Sequence, residues 1–178
     1  QMCIRDRIYT FSKSIIDSTV KFAVAFKFNI AFFEAYGIDG LVSLERLIKY
    51  VNNEYPLVFT IADAKRGDIG NSSSRYAKAF FEKFGFDSIT VSPYMGRDSI
   101  EPFLSFENLH KILLALTSNS VAEDFQFISS EGRKVYEHVI VESKKWDGNE
   151  NMMYVVGATK ARYIEKIRKL ACLLYTSP

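Results

Sequence analysis

Four short stretches of this sequence are predominantly apolar without alternation, residues 22–26 (FAVAF), 57–62 (LVFTIA), 112–116 (ILLAL) and 152–156 (MMYVV), and residues 88–92 (SITVS), where small hydroxyl residues separate Ile89 and Val91, are read as a fifth strand of the same kind. A strand with one wet face alternates apolar and polar residues, so continuous runs predict strands buried on both faces, as in parallel sheets. Segments of helical spacing lie between them. Leu41, Leu44, Leu47, Ile48 and Val51 share one helical face. Tyr76, Ala77, Phe80, Phe81 and Phe84 mark a second helix, with serines at its start and Gly85 as its stop. Val135, Val139 and Trp146, preceded by Gly132, mark a third, and residues 161–170, with Ile164 and Ile167 facing inward, a fourth. Residues 14–20 close a further helix whose own preceding strand is absent. Buried strands alternating with helices predict a parallel α/β protein.

Two architectures satisfy that pattern, a closed barrel and an open doubly wound sheet. No Gly-x-Gly-x-x-Gly follows any predicted strand, which removes the usual mark of a dinucleotide-binding sheet. Polar residues gather instead just past several strand ends: Lys27, Asp63, Lys65, Thr117, Ser118 and Thr159. Functional side chains spread over many strand C-termini favour the (β/α)8 TIM barrel. Such a barrel usually needs about 250 residues, and the chain has 178, so the expected fold is an incomplete barrel holding about strands two to six.

Composition narrows the function. A net charge of +2 with dispersed Lys and Arg gives no footprint for nucleic acid, and no run of 18 apolar residues offers a membrane span. Residues 1–7 (QMCIRDR) and 172–178 (CLLYTSP) carry neither helical nor strand periodicity and resemble translated sequencing-adapter sequence. They are expected to be non-native ends flanking a body of residues 8–171. Both cysteines, Cys3 and Cys172, fall in those ends. The body then lacks the means for a disulfide framework or a thiolate-bound metal, and a reducing cytoplasm is the expected compartment. His110, at a strand start, and His138, mid-helix, read as solvated or packing residues rather than metal ligands.

The most informative stretch is Asp63-Ala64-Lys65-Arg66-Gly67-Asp68. Asp63 and Lys65 are two apart at a strand end, so both side chains share one face, and Asp68 follows on the departing loop. Three charges at the mouth of an apolar strand are costly to bury unless they pair. Spacing alone leaves open an exposed loop salt bridge, and Arg66-Gly67-Asp68 also spells an adhesion tripeptide, although no secretory feature accompanies it.

The run DAKRGDIGN (63–71) resembles the hallmark of the orotidine 5′-phosphate decarboxylase family, in its longer bacterial-type branch. KFNIAFFEAYG (27–37), SPYMG with DSIEPFL (92–104), TSN (117–119) and VVGAT (155–159) are similar to further blocks of that branch, in the same order. The resemblance implies a TIM barrel that decarboxylates orotidine 5′-monophosphate to UMP without metal or cofactor. It implies a Lys-Asp-Lys-Asp array formed by Lys27, Asp63, Lys65 and Asp68, with Lys65 as proton donor. It further implies substrate contacts from Ser72 and Ser118, and a homodimer in which Asp68 serves the neighbouring subunit's site. Phe28, Ser92 and Ser120 depart from the family's Pro, Asn and Pro. The family's first strand, with an aspartate that contacts ribose, and its last two strands, with a phosphate-binding loop, have no counterpart in the body, so the chain by itself is expected to be inactive. Two rivals remain. A sugar-phosphate lyase of the same superfamily, such as a 3-keto-gulonate phosphate decarboxylase, shares Asp-x-Lys-x-x-Asp but adds magnesium. A non-catalytic fragment or interaction protein would carry the charged array only as a relic.

Overall fold

A computed structural model describes residues 3–171. They divide into two compact units, the first running to Arg66 and including Ser74–Thr90, the second comprising Gly67–Ser73 and the residues from Val91 onward.

In the first unit, helix α1 (Ile4–Thr19) leads into strand β1 (Ala25–Asn29), a short helix α2 (Ile30–Glu34), helix α3 (Gly37–Glu54) and strand β2 (Phe59–Arg66). β1 and β2 are parallel, with Lys27 opposite Ile61 and Asn29 opposite Asp63. Helix α4 (Gly70–Ala77), of which Ser74–Ala77 belong to this unit, continues into a π-helical stretch (Lys78–Phe84), and β3 (Ser88–Val91), in this unit as far as Thr90, then lies on the far side of β2 from β1. Four of the five residues of the predicted apolar face of α3, Leu44, Leu47, Ile48 and Val51, are fully buried, whereas Leu41 is exposed. Gly85 ends the π-helical stretch in the left-handed conformation expected of a helix stop, with φ of 79°. Phe28, which stands where the resembling family has proline, is buried, and its ring meets those of Phe33 and Phe86. Proline would leave that aromatic contact unmade.

Three expectations are corrected here. Residues 4–7 are helical, although their sequence shows no usable periodicity. They are held from outside, because the Ser43 hydroxyl of α3 donates to the Arg5 carbonyl at 2.8 Å and Arg46 pairs with Asp6 at 2.9 Å. β1 begins at Ala25, not at Phe22, and β2 at Phe59, not at Leu57; Phe22, Val24 and Leu57 are exposed. Apolar character alone overstated the N-terminal reach of both strands. Lys27, Asp63 and Lys65 sit within strands rather than beyond their ends, because β1 runs on to Asn29 and β2 to Arg66.

The second unit holds α5 (Glu101–Leu104), β4 (His110–Leu116), α6 (Glu123–Gln126), a small antiparallel hairpin of β5 (Ser129–Ser130) and β6 (Arg133–Lys134), α7 (Val135–Ser143), β7 (Met152–Val156) and α8 (Ile164–Ala171). β4 and β7 pair in parallel, from Lys111 opposite Met152 to Leu116 opposite Val156, with a bulge between Leu114 and Leu116. The hairpin was not foreseen. Its turn residues Glu131 and Gly132 both have positive φ, as a tight two-residue hairpin turn requires. His138 Nε2 lies 2.8 Å from the Ser130 carbonyl of that hairpin. Two details of the predicted helices also change. Trp146 lies past the end of α7, and Ile164 is exposed while Ile167 is buried against Ala115, Leu116, Tyr136 and Ile140.

Beside that core, Glu137 is 2% exposed yet fully partnered. Its carboxylate accepts from the Lys134 N–H at 3.0 Å, the Tyr136 hydroxyl at 2.9 Å and Lys166 Nζ at 2.5 Å. Burial works to raise its pKa, but Lys166, the Lys134 N–H and Tyr136 outweigh it and hold the carboxyl below its ordinary 4.5. With the folded value lower than the unfolded one, the carboxylate's contribution to stability is complete above about pH 4.5 and is lost as pH falls through the depressed value. Glu137→Gln is therefore expected to lower stability by about 1–2 kcal/mol near neutrality. Urea midpoints should converge on wild type as pH falls through the depressed value, and a deficit that stays constant with pH would show that the charge itself contributes nothing.

Candidate active site

The first unit brings three of the sequence-predicted residues together. Lys27 and Asn29 are two apart on β1 and so share a face, and Asn29 pairs with Asp63; Lys27 is thus diagonal to Asp63 on the same side of the sheet. Its Nζ reaches Asp63 Oδ2 at 3.1 Å, and Lys65 Nζ reaches Asp63 Oδ1 at 2.6 Å. The carboxylate is 8% exposed, whereas the Lys27 and Lys65 side chains are 58% and 51% exposed. Burial opposes ionisation of Asp63, yet the hydrogen bonds from Lys65 and Lys27 and their charges hold its pKa below the ordinary value. One buried anion is fixed between two cations whose side chains remain about half exposed.

Lys65 occupies its place through an unusual backbone. Its φ is 51°, in the left-handed region that β-strand residues avoid. The Thr90 hydroxyl oxygen on β3 accepts the Lys65 N–H at 2.8 Å and donates to Asp63 Oδ1 at 3.1 Å. Thr90 is buried, so one side chain fixes both the twisted peptide and the carboxylate. Sequence reasoning gave Thr90 no role. The available signal was a hydroxyl between Ile89 and Val91 in a fully buried strand, where a buried polar group needs partners. Glu34 and Arg66 were also passed over. Arg66 donates to Glu34 Oε1 and to the Ala64 carbonyl at 2.9 Å, and its guanidinium lies 5.5 Å from the Tyr76 ring, which anchors the strand immediately after Lys65.

Asp68, Ser72 and Ser118 belong to the second unit. Asp68 lies on the loop after β2, and its Oδ1 accepts the Ile69 N–H at 2.7 Å. Its own N–H donates to the buried Ser73 hydroxyl oxygen at 3.0 Å. Ser72 lies in the first turn of α4 and is exposed. Ser118, also exposed, follows the end of β4 by two residues, and its carbonyl accepts the Thr159 hydroxyl at 3.0 Å. Among the described residues, no group of three or more His, Cys, Asp or Glu side chains is arranged to hold a metal ion, and no helix is long and apolar enough to cross a membrane.

Chemically, the Lys27–Asp63–Lys65 group presents fixed charge of both signs with little need for reorganisation, an arrangement suited to stabilising charge that develops during a reaction. Comparison with known proteins gives the family. Orotidine 5′-phosphate decarboxylase of Flavobacterium johnsoniae is 60% identical over 165 residues, 93% of this chain and 60% of that protein. The decarboxylase of Christiangramia forsetii is 59% identical over 166 residues, 93% of this chain and 61% of its own length. The chain thus spans about 60% of the length of these curated relatives. Among solved structures, Leishmania donovani OMP decarboxylase superposes with a TM-score of 0.89 at 33% identity, over 96% of this chain and 68% of that one. The fold is that of an incomplete (β/α)8 barrel. The model of the "Orotidine 5'-phosphate decarboxylase / HUMPS family" matches residues 12–177. With that match over nearly its whole length, the chain belongs to the orotidine 5′-phosphate decarboxylase / HUMPS family.

Proposed function

We propose that this chain carries the catalytic array of an enzyme that decarboxylates orotidine 5′-monophosphate to UMP and CO2 in pyrimidine biosynthesis. The observation that carries the reading is the buried Asp63 carboxylate held between Lys27 and Lys65. In the reaction the bond from C6 of the pyrimidine to the carboxylate carbon breaks, and its electron pair stays on C6. The Lys65 ammonium stabilises that pair and then gives C6 a proton, regaining one from solvent afterwards. Asp63 orients Lys65 and sits beside the departing carboxylate, and Lys27 links the array to the ribose hydroxyls. The Ser118 hydroxyl serves the pyrimidine edge and Ser72 contributes a second hydroxyl to the substrate. Asp68 completes the array of the partner subunit in a homodimer, and residues 8–171 form the barrel body. Neither metal nor cofactor enters any step.

The family also includes the HUMPS branch, so the test must separate the two. A chain completed to its relatives' length with flanking sequence from the Flavobacterium johnsoniae protein is expected to convert orotidine 5′-monophosphate to UMP at a rate unchanged by EDTA. A strict requirement for added magnesium, or turnover of a 3-keto sugar phosphate in place of the nucleotide, would overturn the reading.

A further inference from the structure

Ser118 has to present its hydroxyl from a segment outside any helix or strand, and two neighbouring side chains fix the backbone on either side of it. β4 ends at Leu116, and Thr117-Ser118-Asn119 follows. Gln126, the last residue of α6, turns both ends of its carboxamide onto Thr117. Oε1 accepts the Thr117 N–H at 2.9 Å, and Nε2 donates to Thr117 Oγ1 at 2.7 Å. A backbone N–H can only donate, so the amide oxygen must face it and the amide nitrogen must face the hydroxyl. Thr117 Oγ1 passes its own proton to Asn119 Oδ1 at 2.6 Å, which ties the residues before and after Ser118 together.

The other side is closed by the segment after β7. The Gly157 N–H donates to the Leu116 carbonyl at 2.7 Å, and a Cβ at Gly157 would fall 2.6 Å from both Cα and N of Ser118. Only glycine permits that approach. Two residues on, the Thr159 hydroxyl donates to the Ser118 carbonyl at 3.0 Å. Lys160, next to Thr159, pairs with Glu123 of α6 at 3.1 Å, so the elements carrying the two clamps are themselves joined. Gln126 and Thr117 also line a cavity of about 350 Å³ with Tyr94, Leu114 and Phe125, so the clamped backbone borders open space rather than packed core. The Ser118 hydroxyl takes part in none of these bonds.

We infer that Gln126 and Thr159 are positioning residues that hold the Ser118 peptide so that its hydroxyl meets the base of the nucleotide. The inference rests on the reading of Ser118 as a contact to the pyrimidine edge. Gln126 supplies an acceptor and a donor in one rigid group, which Glu and Met of similar length cannot do together. Its effect should therefore be confined to ligands that carry the base.

The test uses the completed chain and two ligands, UMP and ribose 5-phosphate, which share the sugar phosphate and differ by the pyrimidine. Gln126→Met and Thr159→Val are each expected to weaken UMP binding about tenfold, the scale of one to two hydrogen bonds lost indirectly, with ribose 5-phosphate unaffected. Thr159→Ser, which keeps the hydroxyl, should bind UMP as wild type does. In a Ser118→Ala background, Gln126→Met should cost nothing more, because the group it positions is gone. Equal losses for both ligands, or a full additional loss in the Ser118→Ala background, would reduce Gln126 to a structural residue and overturn the inference alone. If Ser118→Ala leaves UMP affinity intact, the assignment of Ser118 itself fails and the inference falls with it.

Discussion

Lys65→Ala, in a chain completed to its relatives' length, is expected to lower kcat by at least about 10²-fold while the protein stays folded. Loss of one preorganised electrostatic group typically costs about 10²–10³-fold, and loss of the proton donor adds to it. The fold should survive because Lys65 is half exposed and its ammonium, 2.6 Å from Asp63, sits at the open side of the array. Lys65→Gly sharpens the experiment. At φ of 51° a residue with a Cβ is strained by about 1–2 kcal/mol relative to glycine, so the glycine variant should be more stable than the alanine variant by up to about that amount, less the flexibility glycine adds to the unfolded chain. Both should be equally inactive. A Lys65→Ala enzyme retaining a tenth of wild-type kcat would remove Lys65 from its assigned role. A glycine variant less stable than the alanine variant by about 0.5–1 kcal/mol, the full cost of its added flexibility, would show that the left-handed backbone stores no strain.

Much of this arrangement was legible because parallel strands are buried on both faces and write themselves as unbroken apolar runs. β4 and β7 lie close to where those runs stand, and the apolar spacing of α3 marked four fully buried side chains. The failures have physical causes. Phe22 and Leu57 are apolar and exposed, and hydrophobicity could not tell where strand pairing starts. Residues 4–7 become helical through bonds made by Ser43 and Arg46, some forty positions away, and such tertiary support leaves no local periodicity. The hairpin before α7 rests on only two residues in each strand, too few for any period to show.

The site divides along the same line. Asp63 and Lys65 were readable as a pair because a two-residue separation on a strand fixes a shared face, and the distance between them bears out that step. Lys27 needed the register between two strands, which resemblance supplied and local sequence did not. Thr90 and Gln126 escaped notice for a common reason. Each acts by completing hydrogen bonds of residues 9 to 27 positions distant, and a single threonine or glutamine carries no spacing that announces such a partner.

Asp68 calls for an experiment of a different kind, because the proposal gives it to the partner's site. It lies beyond the end of β2, in a different compact unit from Lys27, Asp63 and Lys65. Two inactive variants of the completed chain, Lys65→Ala and Asp68→Ala, would be mixed in equal amounts under conditions that exchange subunits. If Asp68 acts in trans, each mixed dimer has one site lacking both groups and one site with both intact. Random exchange makes half of the dimers mixed, each with one of its two sites restored, so activity should recover to roughly a quarter of wild type. If Asp68 served its own chain, every site in every dimer would lack one group and mixing would restore nothing. Exchange itself is followed by tagging one variant and recovering mixed dimers, and an inactive mixture in which mixed dimers have formed would refute the shared site. A recovery near one quarter would establish both that the enzyme is a dimer and that its charged array is assembled from two chains.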